Sequence, residues 1–236
     1  MNNAIMLVRN RPLLTKQAIT TFLAHSKYDW TLTVIDDASD FQTQTLLDGL
    51  ASQPRIRVLR HMRVTSNTAL SRNLGVHFSQ RFFGRGDYLY LSDNDAFFLP
   101  SWDHYLIHAY QDVQDTYRLL GPYRHPYHHP HKEGTEVVEL GGRMMKVVST
   151  DAVQGIGHLM TWETWDRWGP LVEHPGVGLG TNQSEDFDFC QRIVKDGFRV
   201  GSLEPFVVLN CGITGTDGKP SPGADLIERV EGVFYA

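Results

Sequence analysis

The residues of this chain best suited to chemistry are the acids of Asp93-Asn94-Asp95, which come directly after the hydrophobic run Tyr88-Leu89-Tyr90-Leu91-Ser92. Two carboxylates two positions apart at a strand end can face one small volume if the backbone turns there. Mg²⁺ and Mn²⁺ favour such hard oxygen ligands and keep waters or phosphate oxygens in their remaining positions. A cation held there would neutralise charge on a departing diphosphate. The plainer alternative is a turn whose Asp and Asn serve local hydrogen bonds. The triplet alone does not choose between them.

Three further groups carry the same ambiguity. Asp36-Asp37 closes the run Val34-Ile35. A carboxylate there could accept from a nucleobase imide N–H or a ribose hydroxyl, or Asp37 or Ser39 could cap the succeeding segment. Arg72, within Ser71-Arg72-Asn73-Leu74-Gly75, could pair with a phosphate or a base, or be a solvated helical arginine. Ser184-Glu185-Asp186-Phe187-Asp188 opens a helix. Acids in a first turn complement the helix dipole, or one of them is a general base for an acceptor hydroxyl.

The elements that must position these groups can be read from hydrophobic patterning. Strands are expected at Ala4–Val8, Thr31–Ile35, Ile56–Leu59 and Tyr88–Leu91, with helices between them at Leu13–His25, Thr43–Leu50 and Asn67–Phe78. This alternation predicts an α/β fold, a mostly parallel sheet with helices on both faces. Ligands gather at the carboxyl ends of the strands in such sheets, which is where both acidic clusters fall. The second half is less regular. Helices are expected at Trp102–Val113, Thr161–Trp168 and Ser184–Lys195, the last capped by Ser184. A hairpin is expected over Glu136–Val148 around Gly141-Gly142, and a strand at Phe206–Leu209. Loops are expected at 122–131, 176–183 and 212–223. Trp162, Trp165 and Trp168 have helical spacing and read as core.

Composition narrows the class. The chain has 236 residues, a net charge of −5 and two cysteines. One α/β domain fits that length. The charge gives no global attraction to nucleic acid or acidic lipid. Cys190 and Cys211 suggest neither a disulfide framework nor a zinc site. No signal peptide or apolar run of about 18 residues is present, so a cytoplasmic protein without a transmembrane helix is expected.

Taken together, the order and spacing of these motifs resemble family 2 glycosyltransferases, which have the GT-A (Rossmann-like) fold. Ile5–Pro12 resembles that family's first strand and Asn-Arg-Pro turn. Val34–Ser39 resembles its Val-Asp-Asp-Gly-Ser element, with Ala38 for Gly. Ala69–Gly75 resembles its Ala-Arg-Asn-x-Gly helix. Leu91–Asp95 followed by Pro100-Ser101-Trp102 resembles its metal motif, and Ser184–Arg192 its Glu-Asp-x-Asp-x-Cys-x-Arg helix.

The resemblance covers nearly the whole chain and implies a single domain, with residues 1–100 forming a nucleotide-binding half and residues 101–236 an acceptor-binding half. It implies an inverting transfer from a nucleoside-diphosphate sugar, expected to be a UDP-sugar, with Mn²⁺ or Mg²⁺. Asp36 or Asp37, Arg72, Arg9 and Asp93 would contact the donor. Asp95 would be the main metal ligand, helped by Asp93. Asp186 would be the catalytic base, with Glu185 the alternative. Asn210 or Cys211 stands near the place of the family's usual metal-binding His, and Asn210 is the weaker ligand expected there. The acceptor could be a glycan, a lipid-linked sugar, a protein or a modified nucleobase.

His125, His128, His129 and His131 could form a lid with Tyr123 and Tyr127, or simply a rigid loop. Two rival functions remain. A nucleotidyltransferase would need a Gly-rich loop where Val8-Arg9-Asn10-Arg11-Pro12 stands. A non-catalytic nucleotide- or glycan-binding relative would not need Asp95 together with Glu185-Asp186.

Overall fold

Side-chain alternation along the first strand sets the architecture. In β1 (Asn2–Val8), Ala4, Met6 and Val8 enter one core, while Ile5 and Leu7 enter a second on the opposite face. β2 (Trp30–Asp36) and β4 (Tyr88–Asp93) divide the same way: Trp30, Leu32, Val34 and Tyr90 join the first core, and Ile35, Leu89 and Leu91 join the second. A sheet apolar on both faces requires cover on both. α1 (Pro12–His25) and α4 (Trp102–Val113) cover the first face. α3 (Thr68–Phe83), α5 (Trp162–Trp168) and α6 (Glu185–Lys195) cover the second. The computed structural model describes residues 1–65, 67–122, 130–140, 143–172 and 184–211.

The remaining elements are α2 (Phe41–Leu50), β3 (Ile56–Arg60), β5 (Ala96–Phe98), β6 (Tyr117–Gly121), β7 (Pro130–Leu140), β8 (Arg143–Thr150), β9 (His158–Thr161), β10 (Arg199–Glu204) and β11 (Val208–Asn210). Among the described residues nine strands form one sheet in the order β3-β2-β1-β4-β9-β6-β10-β8-β7, and β11 pairs with β5 in a second sheet. β3, β2, β1 and β4 are mutually parallel. β10 also runs parallel to β6.

The sheet departs from the expected mostly parallel form in its second half. β9 is antiparallel to both β4 and β6, β8 to β10, and β7 to β8. For β7 and β8 the reason is connection length: parallel neighbours need a long crossover, usually a helix, whereas these two strands are separated by only two residues and form the expected hairpin.

Most expected elements stand within a few residues of their predicted bounds. β5, β6, β9 and β10 were not foreseen. β5 is three residues long, too short for a pattern. β9 begins on His158, which is polar in sequence yet fully buried. β10 contains Gly201, where a Cβ would press on the Tyr117 ring and the Val148 carbonyl. Trp162 and Trp168 are buried, as their spacing suggested. Cys190 and Cys211 are buried and unbridged.

Among the described residues no helix is long and apolar enough to cross a membrane. The loops expected at 176–183 and 212–223 lie outside the described residues, as do His125, His128 and His129 and the side chain of His131.

Candidate active site

The parallel strands β1, β2, β3 and β4 end side by side, and the turns after β1, β2 and β4 are tied together by one residue, Asn10. Asn10 and Arg11 have left-handed backbones (φ 55° and 60°), after which Pro12 starts α1. Asn tolerates that region because its side chain bonds locally. Asn10 N donates to Ser39 Oγ at 2.9 Å, and Asn10 Oδ1 accepts from Asp40 N at 2.7 Å. Asn94 Nδ2 donates to Asn10 O at 3.1 Å and to Thr15 Oγ1 at 2.8 Å. The middle residue of the triplet is therefore a buried structural anchor. Its two flanking acids remain partly exposed, with 37% of the Asp93 side chain and 19% of the Asp95 side chain accessible.

The adjacent acids Asp36 and Asp37 divide their work. Asp36 is fully buried; it accepts from Ser39 N at 2.9 Å and from Arg60 Nε at 2.7 Å. Its carboxylate is thus held inside the protein. Asp37 is partly exposed at the strand end, and its Oδ1 accepts from Thr65 N and Thr65 Oγ1 at 2.8 and 2.9 Å. Arg9 is exposed on the neighbouring turn.

Arg72 is not a solvated helical arginine. Its side chain is only 3% accessible, and its Nη1 donates to Asp186 Oδ1 at 2.6 Å and Glu185 Oε1 at 3.2 Å. Its Nη2 donates to Asp93 Oδ1 at 2.8 Å and to Gly155 O at 3.2 Å. Asp186 Oδ2 in turn accepts from Gly155 N at 2.8 Å. The fold therefore gathers Asp93, Glu185 and Asp186 around one guanidinium, although they come from β4 and α6. α6 presents its acids because Ser184 caps it, accepting from Phe187 N. Removing one partner from a buried charge network of this kind costs about 3–5 kcal/mol.

The electrostatics separate the two helix acids. Burial, with Glu185 alongside, pushes Asp186 up to about 6 despite Arg72. Glu185 is also penalised by burial, yet Arg72 and a hydrogen bond from Thr68 hold it below its usual range. A base serves best when its pKa lies near the working pH. Asp186 meets that condition, and its side chain is 20% accessible against 9% for Glu185. His158 lies behind it, fully buried, with Nε2 2.8 Å from Val153 O and 3.8 Å from Asp186 Oδ1. Burial and Arg72 lower its pKa to about 3, so the ring is neutral.

Asp95 is pushed up to about 6 by burial and by Asp93, against the opposing Arg11. Two crowded carboxylates that resist ionising together are the hard-oxygen donor set a divalent cation relieves, so the residues present fit Mn²⁺ or Mg²⁺. Among the described residues no group of three or more His, Cys, Asp or Glu is placed to hold a metal ion, so protein carboxylates alone do not complete a coordination sphere. Asn210 pairs with Ala96 across the β11–β5 ladder, and Cys211 N donates to Asp95 O at 2.7 Å, which brings Asn210 beside the triplet. Sequence reasoning missed Arg11, Gly155 and His158. Arg11 stands in the recognisable Asn-Arg-Pro turn, yet what each of the three touches is revealed only by the tertiary contacts.

The α/β fold with this acid-rich strand end is that of GT-A glycosyltransferases. The profile of Glycosyl transferase family 2 matches residues 4–148, more than half of the chain, and the chain belongs to that family. Solved structures share the fold. One is the mannosyltransferase PcManGT from Pyrobaculum calidifontis in complex with GDP-Man and Mn²⁺, with TM-score 0.59, 16% identity, and 85% of this chain and 55% of that one covered. Another is S. aureus TarS 1-349 in complex with UDP-GlcNAc, with TM-score 0.58, 13% identity, and 88% and 57% covered. A third is GalNAc-T7 with UDP, GalNAc and Mn²⁺, with TM-score 0.59, 12% identity, and 86% and 43% covered. The chain thus spans about half the length of these structural relatives. No curated protein matches it.

Proposed function

We propose that this chain is a metal-dependent, inverting glycosyltransferase that moves a sugar from a nucleoside-diphosphate sugar, a UDP-sugar in the first instance, to an acceptor hydroxyl. The observation that carries this reading is the meeting of Asp93 and Asp186 on one guanidinium, with Asp95 two residues beyond Asp93. It puts a candidate donor-metal site and a candidate base in one place, as a single displacement requires. The family's structural relatives include complexes with GDP-Man and Mn²⁺ and with UDP-GlcNAc, which supports a nucleotide-sugar donor.

In this reading residues 1–100 hold the donor and residues 101–236 the acceptor. Asp37 and Arg9 line the nucleotide end, and Asp36, bonded to Ser39 N and Arg60, fixes the end of β2 beside Asp37. Asp95, Asp93 and Asn210 hold the Mn²⁺ or Mg²⁺, which when bound stabilises negative charge on the leaving diphosphate. Asp186 takes the proton from the acceptor hydroxyl. The new bond forms from that oxygen to the anomeric carbon, and the bond from that carbon to the diphosphate oxygen breaks, releasing nucleoside diphosphate. Each Asp186 oxygen accepts one strong hydrogen bond in the structure, and a carboxylate offers about four lone-pair positions, so proton acceptance remains open.

The test is product analysis. The chain is incubated with Mn²⁺ and single nucleotide sugars, and the phosphate products are separated. Nucleoside diphosphate with inverted product is expected, and Asp95→Ala and Asp186→Ala should each remove it. Pyrophosphate release would mark a nucleotidyltransferase instead. Nucleotide binding without donor cleavage for any acceptor would mark a non-catalytic relative.

A further inference from the structure

Arg72, expected from its motif to meet the nucleotide, has almost no surface to offer a ligand. Its side chain is 3% accessible, and both terminal nitrogens are engaged by Asp93, Glu185, Asp186 and the Gly155 carbonyl. We propose that Arg72 is a positioning residue of the transfer reaction, a buried fork that holds the Asp186 carboxylate in fixed relation to Asp93 and so keeps α6 in register with the end of β4. This rests on the proposed transfer reaction, in which Asp186 accepts the acceptor proton and Asp93 serves the donor.

The two ends of the fork face two parts of the site. Nη1 meets the acids of α6, and Nη2 meets Asp93. A planar guanidinium fixes direction as well as charge, which an ammonium does not. Gly155 closes the ring: its carbonyl accepts from Arg72 and its N–H donates to Asp186. A Cβ at position 155 would collide with the Arg72 guanidinium. The Gly155 backbone is not in the left-handed region, so glycine is needed there for room rather than for conformation. A base must sit within a fraction of an ångström of its productive place, and a misplacement of about 1 Å can lower a rate about 100-fold. Arg72 touches no reacting atom in this scheme; it sets where Asp186 stands.

Two variants test it in the full chain. Arg72→Lys keeps the charge and loses the fork. Gly155→Ala keeps Arg72 and takes its space. Calorimetry with Mn²⁺ plus UDP, and separately Mn²⁺ plus GDP, reads nucleotide affinity. Release of nucleoside diphosphate from UDP-GlcNAc and GDP-mannose reads turnover, and thermal melts check folding.

For both variants we expect kcat to fall at least about 10-fold, with nucleotide Kd within about 3-fold of the parent. A Kd weakened 10-fold at unchanged kcat would make Arg72 a nucleotide ligand and overturn the proposal. So would unchanged values of both. Hydrogen exchange gives a readout independent of turnover: the Gly155 amide and the first turn of α6 should exchange faster in both variants and in Asp93→Asn. Unchanged exchange there overturns the proposal even if kcat falls. If the parent protein releases no nucleoside diphosphate, the transferase reading fails by itself, and the exchange rates still decide whether Arg72 holds α6.

Discussion

Arg11 Nη1 lies 3.1 Å from Asp95 Oδ2, which joins the turn after β1 to the turn after β4. Both side chains keep some solvent contact, 43% for Arg11 and 19% for Asp95, so the pair is weak in itself. In the proposed site, Arg11 and the divalent cation serve the same carboxylate. Removing a screened unit charge beside a cation site is worth up to about 1 kcal/mol, a factor of about five. Arg11→Gln should therefore bind Mn²⁺ a few-fold more tightly in the absence of nucleotide, and Asp95→Asn at least about 10-fold more weakly. Titration of free Mn²⁺ by electron paramagnetic resonance reads both. Weaker binding by Arg11→Gln would remove Asp95 from the metal site.

The acidic limb of the rate profile distinguishes the two candidate bases. Asp186 is pushed up to about 6 by burial and by its acidic neighbour, so it gains a proton as pH falls through that value. A base must be unprotonated, so kcat/KM at saturating Mn²⁺ should fall below about pH 6, about tenfold per unit. Glu185, held below the usual carboxylate range by Arg72 despite its burial, would keep the profile flat to lower pH. A flat profile down to pH 5 would transfer the role to Glu185.

His158 makes stability depend on pH in the opposite sense to a raised acid. Its folded pKa is lowered to about 3 by burial and Arg72, while the unfolded chain has the ordinary value of 6.5. Between those values the unfolded state binds the extra proton, so the contribution of neutral His158 is complete above about pH 6.5 and is lost as pH falls. Asp186 and Asp95, with folded values raised to about 6, act against it, favouring the folded state as pH drops from 6 toward 4. The contribution of His158 is therefore best read by difference. Urea unfolding of the parent and of His158→Gln at pH 7.5 and pH 5.0 should show the parent losing more than about 1 kcal/mol relative to the variant. An equal loss in both proteins would mean that His158 is not buried neutral.

Two glycines on helices should respond with opposite signs. At Gly75 on α3, a Cβ would strike the Ile5 side chain and crowd Ile35, since this helix packs closely on β1 and β2. Gly75→Ala should destabilise by about 1–3 kcal/mol through overpacking. At Gly49 on α2, nothing lies within 4 Å of an added Cβ. Gly49→Ala should stabilise by about 0.5–1 kcal/mol, because alanine loses less backbone freedom on folding. Chemical denaturation of both variants checks the contrast, and a stabilised Gly75→Ala would show that α3 does not press on the sheet.

Much of this protein is written in its local pattern. The apolar run Ala4–Val8 and the β-branched run Thr31–Ile35, each succeeded by a helical pattern, specified a parallel first half, because a period of two set against a period of 3.6 leaves few ways to bury both faces. The triplet Asp93-Asn94-Asp95 and the helix opening at Ser184 were equally readable, since each lies in a short run with its own turn or cap chemistry.

Relationships between residues far apart in the chain had no such local signature and emerged only on packing. Arg72 and Asp186 stand 114 positions apart, and no local spacing announces their 2.6 Å contact. The same holds for Gly155 beneath the guanidinium, for Arg11 on Asp95, and for the antiparallel placement of β9 between β4 and β6. The assignment of Asp36 to the interior and Asp37 to the strand end also waited on the fold. Two adjacent acids are chemically alike, and which one is buried depends on where Arg60 and Ser39 arrive from neighbouring segments. Hydrophobic periodicity is a property of the chain. Burial, ion pairing and the pKa values they produce are properties of the packed whole.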